Sequence, residues 1–204
     1  MLPGSTKDYH LWQAFKQGDK STFSYIYHTY FNDLYTYALK ILHDDNLAKD
    51  GVQELFIYLW TNRINLGNVI TIKPYLITCL RRRIIRQVQE FKKENIKAGI
   101  YLQEEPDIYF SPEEFTIGEQ QHDIVKEHLS QVLNQLPERR KEAVYLKYYK
   151  NLSYKEIAVI MSVSEKAVIN HVYKAFKTIR KSKILEKAVN LFIVSSLFIV
   201  SFVF

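Results

Sequence analysis

Apolar residues recur every three to four positions along nearly the whole chain, and this helical period is lost for a long stretch only between residues 99 and 118. Phe23, Ile26, Tyr27, Tyr30, Leu34, Ala38 and Ile41, for instance, hold the spacing for about five turns. No segment alternates apolar and polar residues for long, so the pattern predicts an all-α chain. The single break predicts two helical domains, 8–98 and 123–183, joined by an acidic linker at 99–122 and followed by an apolar tail at 184–204.

Within the first domain, Met1–Lys7 reads as a loose start without the apolar core of a signal peptide. Leu11, Trp12 and Phe15 form a short helix ended by Gly18-Asp19. His43-Asp44-Asp45-Asn46 breaks the second helix, and a third turns Val52, Leu55, Phe56, Leu59 and Trp60 inward. Asn62 to Lys73 is a loop. From Pro74 a long helix buries Tyr75, Leu76, Cys79, Leu80, Ile84, Val88 and Phe91. The same helix carries Arg81, Arg82, Arg83 and Arg86, a candidate phosphate-binding ridge because guanidinium forks match phosphate oxygens. The competing reading is a surface ion-paired to carboxylates elsewhere. Trp60 and Tyr75 suit either stacking on bases of an opened strand or packing in the core.

The formal net charge of +6 conceals a pattern. Residues 1–98 carry 14 Lys and Arg against 9 Asp and Glu, residues 99–127 carry 1 against 8, and residues 128–204 carry 13 against 5. Two basic blocks around an acidic segment suggest two modules that bind polyanions, separated by a linker that phosphate repels. Pro106 and Pro112 punctuate that linker, and Ser111-Pro112-Glu113-Glu114 is a helix-start signal.

The second domain opens with a helix over Asp123–Gln135, and Leu136-Pro137-Glu138-Arg139-Arg140 starts another. Then comes LSYKEIAVIMSVSEKAVINHVYKAFKTIRK, residues 152–181. Ser153 and Glu156 stand at capping-box spacing, and Ile157, Ala158 and Met161 form an apolar face. Ser162-Val163-Ser164 breaks that helix, and Ser164 can cap the next. The following helix sets Val168, Val172, Ala175, Phe176 and Ile179 on one stripe and Lys166, Asn170, Lys174, Lys177 and Lys181 on another. A short helix, a three-residue turn and a second helix with a basic free face suit a helix-turn-helix that presents its second helix to a DNA major groove; the competing reading of the lysine stripe is an ordinary solvated face.

Other chemistry is hard to seat. The lone Cys79 excludes an intrachain disulfide and any cysteine-cluster zinc site, and suits a reducing cytoplasm. His122 and His128, six apart, fall on different helix faces. No nucleophile–base motif and no phosphate-cradling glycine loop is present, so no catalytic residue, metal or cofactor is expected.

Two regions resemble one family. LPERRKEAVYLKYYKNLSYKEIAVIMSVSEKAVINHVYKAFKTIRK is similar to region 4 of the extracytoplasmic-function (ECF) group of bacterial sigma-70-type factors. DLYTYALKILHDDNLAKDGVQELFIYLW resembles their regions 2.1–2.2, and KPYLITCLRRRIIRQ their regions 2.3–2.4. The second half alone would also suit a stand-alone LuxR-type regulator, a class without a region 2. The resemblance implies a non-enzymatic, cytoplasmic factor that binds core RNA polymerase and directs it to promoter DNA, commonly under an anti-sigma factor. It further implies that Asp50, Gln53 and Glu54 dock on polymerase. The loop to Lys73 and the helix after it, with Tyr75, would hold the melted −10 strand, and Arg81, Arg82, Arg83 and Arg86 would lie by the promoter backbone. Lys166, Asn170, His171 and Lys174 would face the −35 element, while Arg139, Arg140 and Lys155 hold phosphates. Three residues depart from the pattern: Gly51 stands where Leu is usual, Arg82 where Asn is common, and Ser162 where the turn usually has Gly. Gly51 is expected to weaken its helix by about 1 kcal/mol relative to Ala, and Ser162 to cost about as much if the turn needs positive φ.

Ala188–Phe204 is 17 residues without a charge, behind the basic Lys181, Lys183 and Lys187. As a helix it would reach about 25 Å, the lower limit for crossing a bilayer. A membrane contact, a partner-binding strip and an apolar helix folded back on the second domain all remain open.

Overall fold

A computed structural model describes residues 4–97, 107–115 and 123–182. Among these are eight α-helices, two 3-10 turns and no strand. The described residues fall into two compact units: 4–97 and 107 together with 155–163, and 108–115 and 123–154 together with 164–182. The tail, residue 98, and residues 99–106 and 116–122 of the expected linker lie outside the described residues.

In the first unit α1 (Gly4–Lys16), α2 (Lys20–Leu42), α3 (Asp45–Asn62) and α4 (Ile72–Lys97) surround one core. The α1 helix begins at Gly4, so the expected loose start up to Lys7 is largely helical. It ends on Gly18, whose φ of 89° suits a residue without a Cβ. Gly18 N–H donates to Phe15 O and Asp19 N–H to Ala14 O, the paired bonds of a Schellman cap. Asp19 then caps α2, accepting from Ser21 N–H and Thr22 Oγ1 at 2.8 Å each. His43 closes α2 in the left-handed region, and Asp44 caps α3 by accepting from Leu47 N–H.

The core combines the helical apolar stripes with an aromatic cluster. Ile26, Leu34 and Ala38 of α2 are buried, as are Val52, Leu55 and Leu59 of α3 and Leu76, Leu80 and Ile84 of α4. Trp12 and Phe15 are buried, and Trp60 sits 4.9 Å from Phe23 and 6.2 Å from Phe15. Gly51 faces this core, and a Cβ built there would meet Leu80 Cδ1 at 3.9 Å, an ordinary contact. The α4 stripe was expected to bury Phe91, but that side chain is 59% exposed. The helix runs on past the level at which Leu80 and Ile84 are enclosed.

The second unit contains α5 (Asp123–Asn134), α6 (Glu138–Tyr148) and α8 (Glu165–Arg180), with α8 packed on both others. Ala143 and Leu146 of α6 and Val168, Val172 and Ala175 of α8 are buried, and Tyr148 meets Phe176 edge-on. Part of the stretch read as linker belongs to this packing. Phe110 is fully buried against Tyr145 and Tyr149. Its N–H donates to Asn134 Oδ1, and its carbonyl accepts from Asn134 Nδ2 and Ser130 Oγ, all within 2.9 Å. The Ser111-Pro112 signal yields one 3-10 turn, Pro112–Glu114, in place of a longer helix.

The α7 helix (Tyr154–Met161) counts with the first unit, although it adjoins α8 in sequence. The Ser162-Val163-Ser164 turn joins the two helices. Ser162 has φ 55°, Ser162 N–H donates to Val159 O, and Val163 N–H donates to Ala158 O. Ser164 Oγ accepts from Ala167 N–H and so caps α8.

Candidate nucleic-acid interface

Amphipathic spacing settles which side of α8 is free. Val168, Val172, Ala175 and Ile179 fill the buried stripe, leaving Lys166, Asn170, Lys174 and Lys177 exposed. His171, at the border, is half-buried. Its pKa is lowered below the usual imidazole value, first by burial and then by Arg139, Arg140 and Lys174. These cations from the start of α6 and the middle of α8 therefore act on one region. Arg139 is exposed and Arg140 half-buried in the first turn of α6, where the helix dipole disfavours cations and favours an anion beside them. Lys155 is exposed on α7, which counts with the first unit.

In the first unit Asp50, Gln53 and Glu54 are all exposed on α3. Leu47 and Ile57, 41% and 66% exposed, share their side of the helix. Ile57 was detectable in the sequence as an apolar residue out of phase with Val52, Leu55, Phe56 and Leu59. Glu54 pairs with Arg83 of α4 at 2.6 Å, a contact that spacing could not have shown.

The four arginines of α4 do not form one ridge. Arg82 and Arg86, one turn apart, are exposed; Arg83 is engaged by Glu54; Arg81 is half-buried with a partner of its own. Lys73 pairs with Asp33 at 2.8 Å. Tyr75 packs edge-on to Trp12, and burial, followed by the neighbouring Cys79, raises its phenol pKa. Trp60 belongs to the aromatic cluster, and the Arg63 guanidinium lies over its ring at 4.6 Å.

The loop before α4 is tied down by residues that sequence reasoning did not single out. Trp12 Nε1 donates to Gly67 O at 2.9 Å, and Gln13 Nε2 to Asn68 Oδ1 at 3.1 Å. Asp8 accepts from Ile72 N–H at 2.9 Å, capping α4 from a distance. Leu66 and Val69 anchor the loop while Ile64 and Ile70 project, 74% and 70% exposed. All three tethers come from α1, more than fifty residues away, where no local pattern announces them.

Among the described residues, no group of His, Cys, Asp and Glu could hold a metal, and no helix is long and apolar enough to cross a membrane.

Comparison with known proteins accords with this arrangement. Residues 26–93 match Sigma-70 region 2, and residues 126–179 match Sigma-70, region 4. The ECF RNA polymerase sigma factor SigM of Bacillus subtilis is 32% identical over 145 residues, covering 71% of this chain and 84% of SigM. Among solved structures, the sigma factor RpoE of Bartonella quintana, in complex with the anti-sigma factor NepR, is similar with a TM-score of 0.58. It is 19% identical and covers 78% of this chain and 94% of that one. CnrH, in complex with the cytosolic domain of CnrY, gives 0.56 at 16% identity, covering 84% and 93%. The chain belongs to the ECF RNA polymerase sigma factors. It is a promoter-recognition factor, and the LuxR-type alternative is not favoured, because region 2 is present.

Proposed function

We propose that this sigma factor divides its work among three surfaces and catalyses nothing itself. Asp50, Gln53 and Glu54 of α3 dock on core RNA polymerase. The loop that α1 tethers, with Lys73, Tyr75 and Arg81, Arg82, Arg83 and Arg86 of the following helix, holds the melted −10 strand and its backbone. Lys166, Asn170, His171 and Lys174 face the −35 major groove, where Lys suits guanine and Asn suits adenine. Arg139, Arg140 and Lys155 hold phosphates. The observation that carries this reading is the exposed Lys and Asn face of a capped α8, in a chain that also contains region 2. The factor acts in the cytoplasm. Since RpoE is described with the anti-sigma factor NepR, a partner of that kind is proposed here too.

The test is co-elution of the full chain with core RNA polymerase, followed by promoter binding by the complex. Stable co-elution is expected. Lys166→Ala or Asn170→Ala should then cost about 1–3 kcal/mol on the cognate −35 element, while Arg139→Ala weakens binding to all sequences alike. A folded chain that does not co-elute refutes the polymerase role. Undiminished −35 selectivity in Lys166→Ala and Asn170→Ala refutes the assignment of α8.

A further inference from the structure

The free face of α8 is not wholly polar. Ile169 and Tyr173 are 45% and 64% exposed, in a helix whose apolar residues otherwise pack inward. At about 100° per residue Tyr173 lies beside Lys166 and Lys177, away from the Val168, Val172 and Ala175 stripe, and Ile169 lies next to it at the edge of that face, toward Val172. The core therefore cannot take up Tyr173 without turning the helix over, and Ile169 borders the free face beside it. Two large apolar side chains four residues apart on a basic face call for an apolar feature in whatever that face meets.

In the DNA major groove, the apolar feature on a base-pair edge is the C5-methyl group of thymine. We propose that Ile169 and Tyr173 are specificity residues that contact thymine methyls of the −35 duplex, beside the polar contacts of Lys166 and Asn170. This rests on the assignment of α8 to the −35 element. The chemistry is complementary. An Asn side chain pairs with adenine N6 and N7, and the thymine of the same base pair presents its methyl in the same groove. Helix residues four apart have Cβ atoms about 5–6 Å apart, and successive bases rise about 3.4 Å. The two side chains thus meet methyls one or two base pairs apart.

The experiment uses the full chain assembled with core RNA polymerase and a promoter selected from a pool randomised over the −35 element. Each thymine of that element is replaced in turn by deoxyuridine, which lacks only the methyl. Binding of the wild-type complex should weaken about fourfold at one or two positions, the effect of about 0.8 kcal/mol per buried methyl. With Ile169→Ala or Tyr173→Ala, thymine and deoxyuridine at those positions should bind alike. Both side chains are exposed, so far-UV circular dichroism should match the wild type. Indifference of the wild type to every deoxyuridine overturns the proposal, as does an equal loss in the variants, which would mark the apolar pair as a protein-contact patch. If Lys166→Ala and Asn170→Ala abolish −35 selectivity while deoxyuridine has no effect, only the methyl contacts fall. If those two variants leave selectivity intact, the α8 assignment falls with them.

Discussion

Ser162→Gly should stabilise the protein. Ser162 ends α7 with φ 55°, and its N–H and that of Val163 close the two bonds of a Schellman cap. Gly18 fills the equivalent place at the end of α1 with φ 89°. The left-handed region costs a residue with a Cβ about 1–2 kcal/mol. Glycine removes that cost but adds unfolded-chain entropy worth about 0.4–1 kcal/mol. The Ser162 side chain is exposed, and both cap bonds use backbone N–H groups, so no contact offsets the gain. The net expectation is about 0.5–1 kcal/mol of added stability. The assay is urea unfolding followed by far-UV circular dichroism, with Ser162→Ala as control. Alanine has a Cβ and should do no better than serine. A Ser162→Gly midpoint at or below that of Ser162→Ala would refute the argument from φ.

Gly51→Ala should add about 1 kcal/mol, because the new Cβ meets only Leu80 Cδ1 at 3.9 Å; a lowered thermal midpoint would show that the α3–α4 contact has no such room. His171 gives a pH dependence. Its folded pKa lies below the ordinary value of 6.5, so between the two the unfolded chain binds more protons. The contribution is fully present above the unfolded pKa and is lost as pH falls through the folded one. His171→Gln should flatten the stability profile in that acidic window, and an unchanged profile would count against it. Asp19→Asn should act likewise at lower pH. The Asp19 carboxyl is held below its usual value by Ser21 and Thr22, so its stabilising contribution is present above pH 3.8 and disappears as the carboxylate protonates.

The helices were legible because each buries a stripe at the helical period, as α2 does with Ile26, Leu34 and Ala38. The pattern failed where distant partners decide. Pro74 suggested a helix start, yet α4 begins at Ile72, because Asp8 supplies the missing acceptor for Ile72 N–H. A proline in the first turn lacks only an N–H that would have had no partner within the helix. The acidic, aperiodic stretch around Phe110 read as linker, and only Asn134 and Ser130, twenty or more residues on, reveal that its backbone is held. At the candidate interface the basic face of α8 was readable from its two stripes, while the positive φ at Ser162 was only a condition raised by the glycine usual in the resembled family. The aromatic tether of the loop, Trp12 to Gly67, was not, and neither were the carboxylate partners of Lys73 and Arg83.

Those carboxylates bear on how the first unit meets DNA. Arg83, proposed above for the promoter backbone, is held at 2.6 Å by Glu54, proposed for polymerase. A phosphate that takes Arg83 must displace Glu54, and anything that engages Glu54 releases Arg83. The coupling is reciprocal, each ligand raising the affinity of the other by the same factor. Both side chains are substantially exposed, 37% and 63%, so the pair is worth at most about 1 kcal/mol, or about fivefold. Glu54→Gln should therefore tighten nonspecific DNA binding by the free protein, by up to about fivefold at low salt, and steepen its salt dependence by about one counterion. In an Arg83→Ala background, Glu54→Gln should make no difference. The readout is fluorescence anisotropy with a labelled duplex across a salt series. If Glu54→Gln tightens binding equally with Ala at position 83, the effect comes from net charge alone, and the ion pair does not gate the arginine.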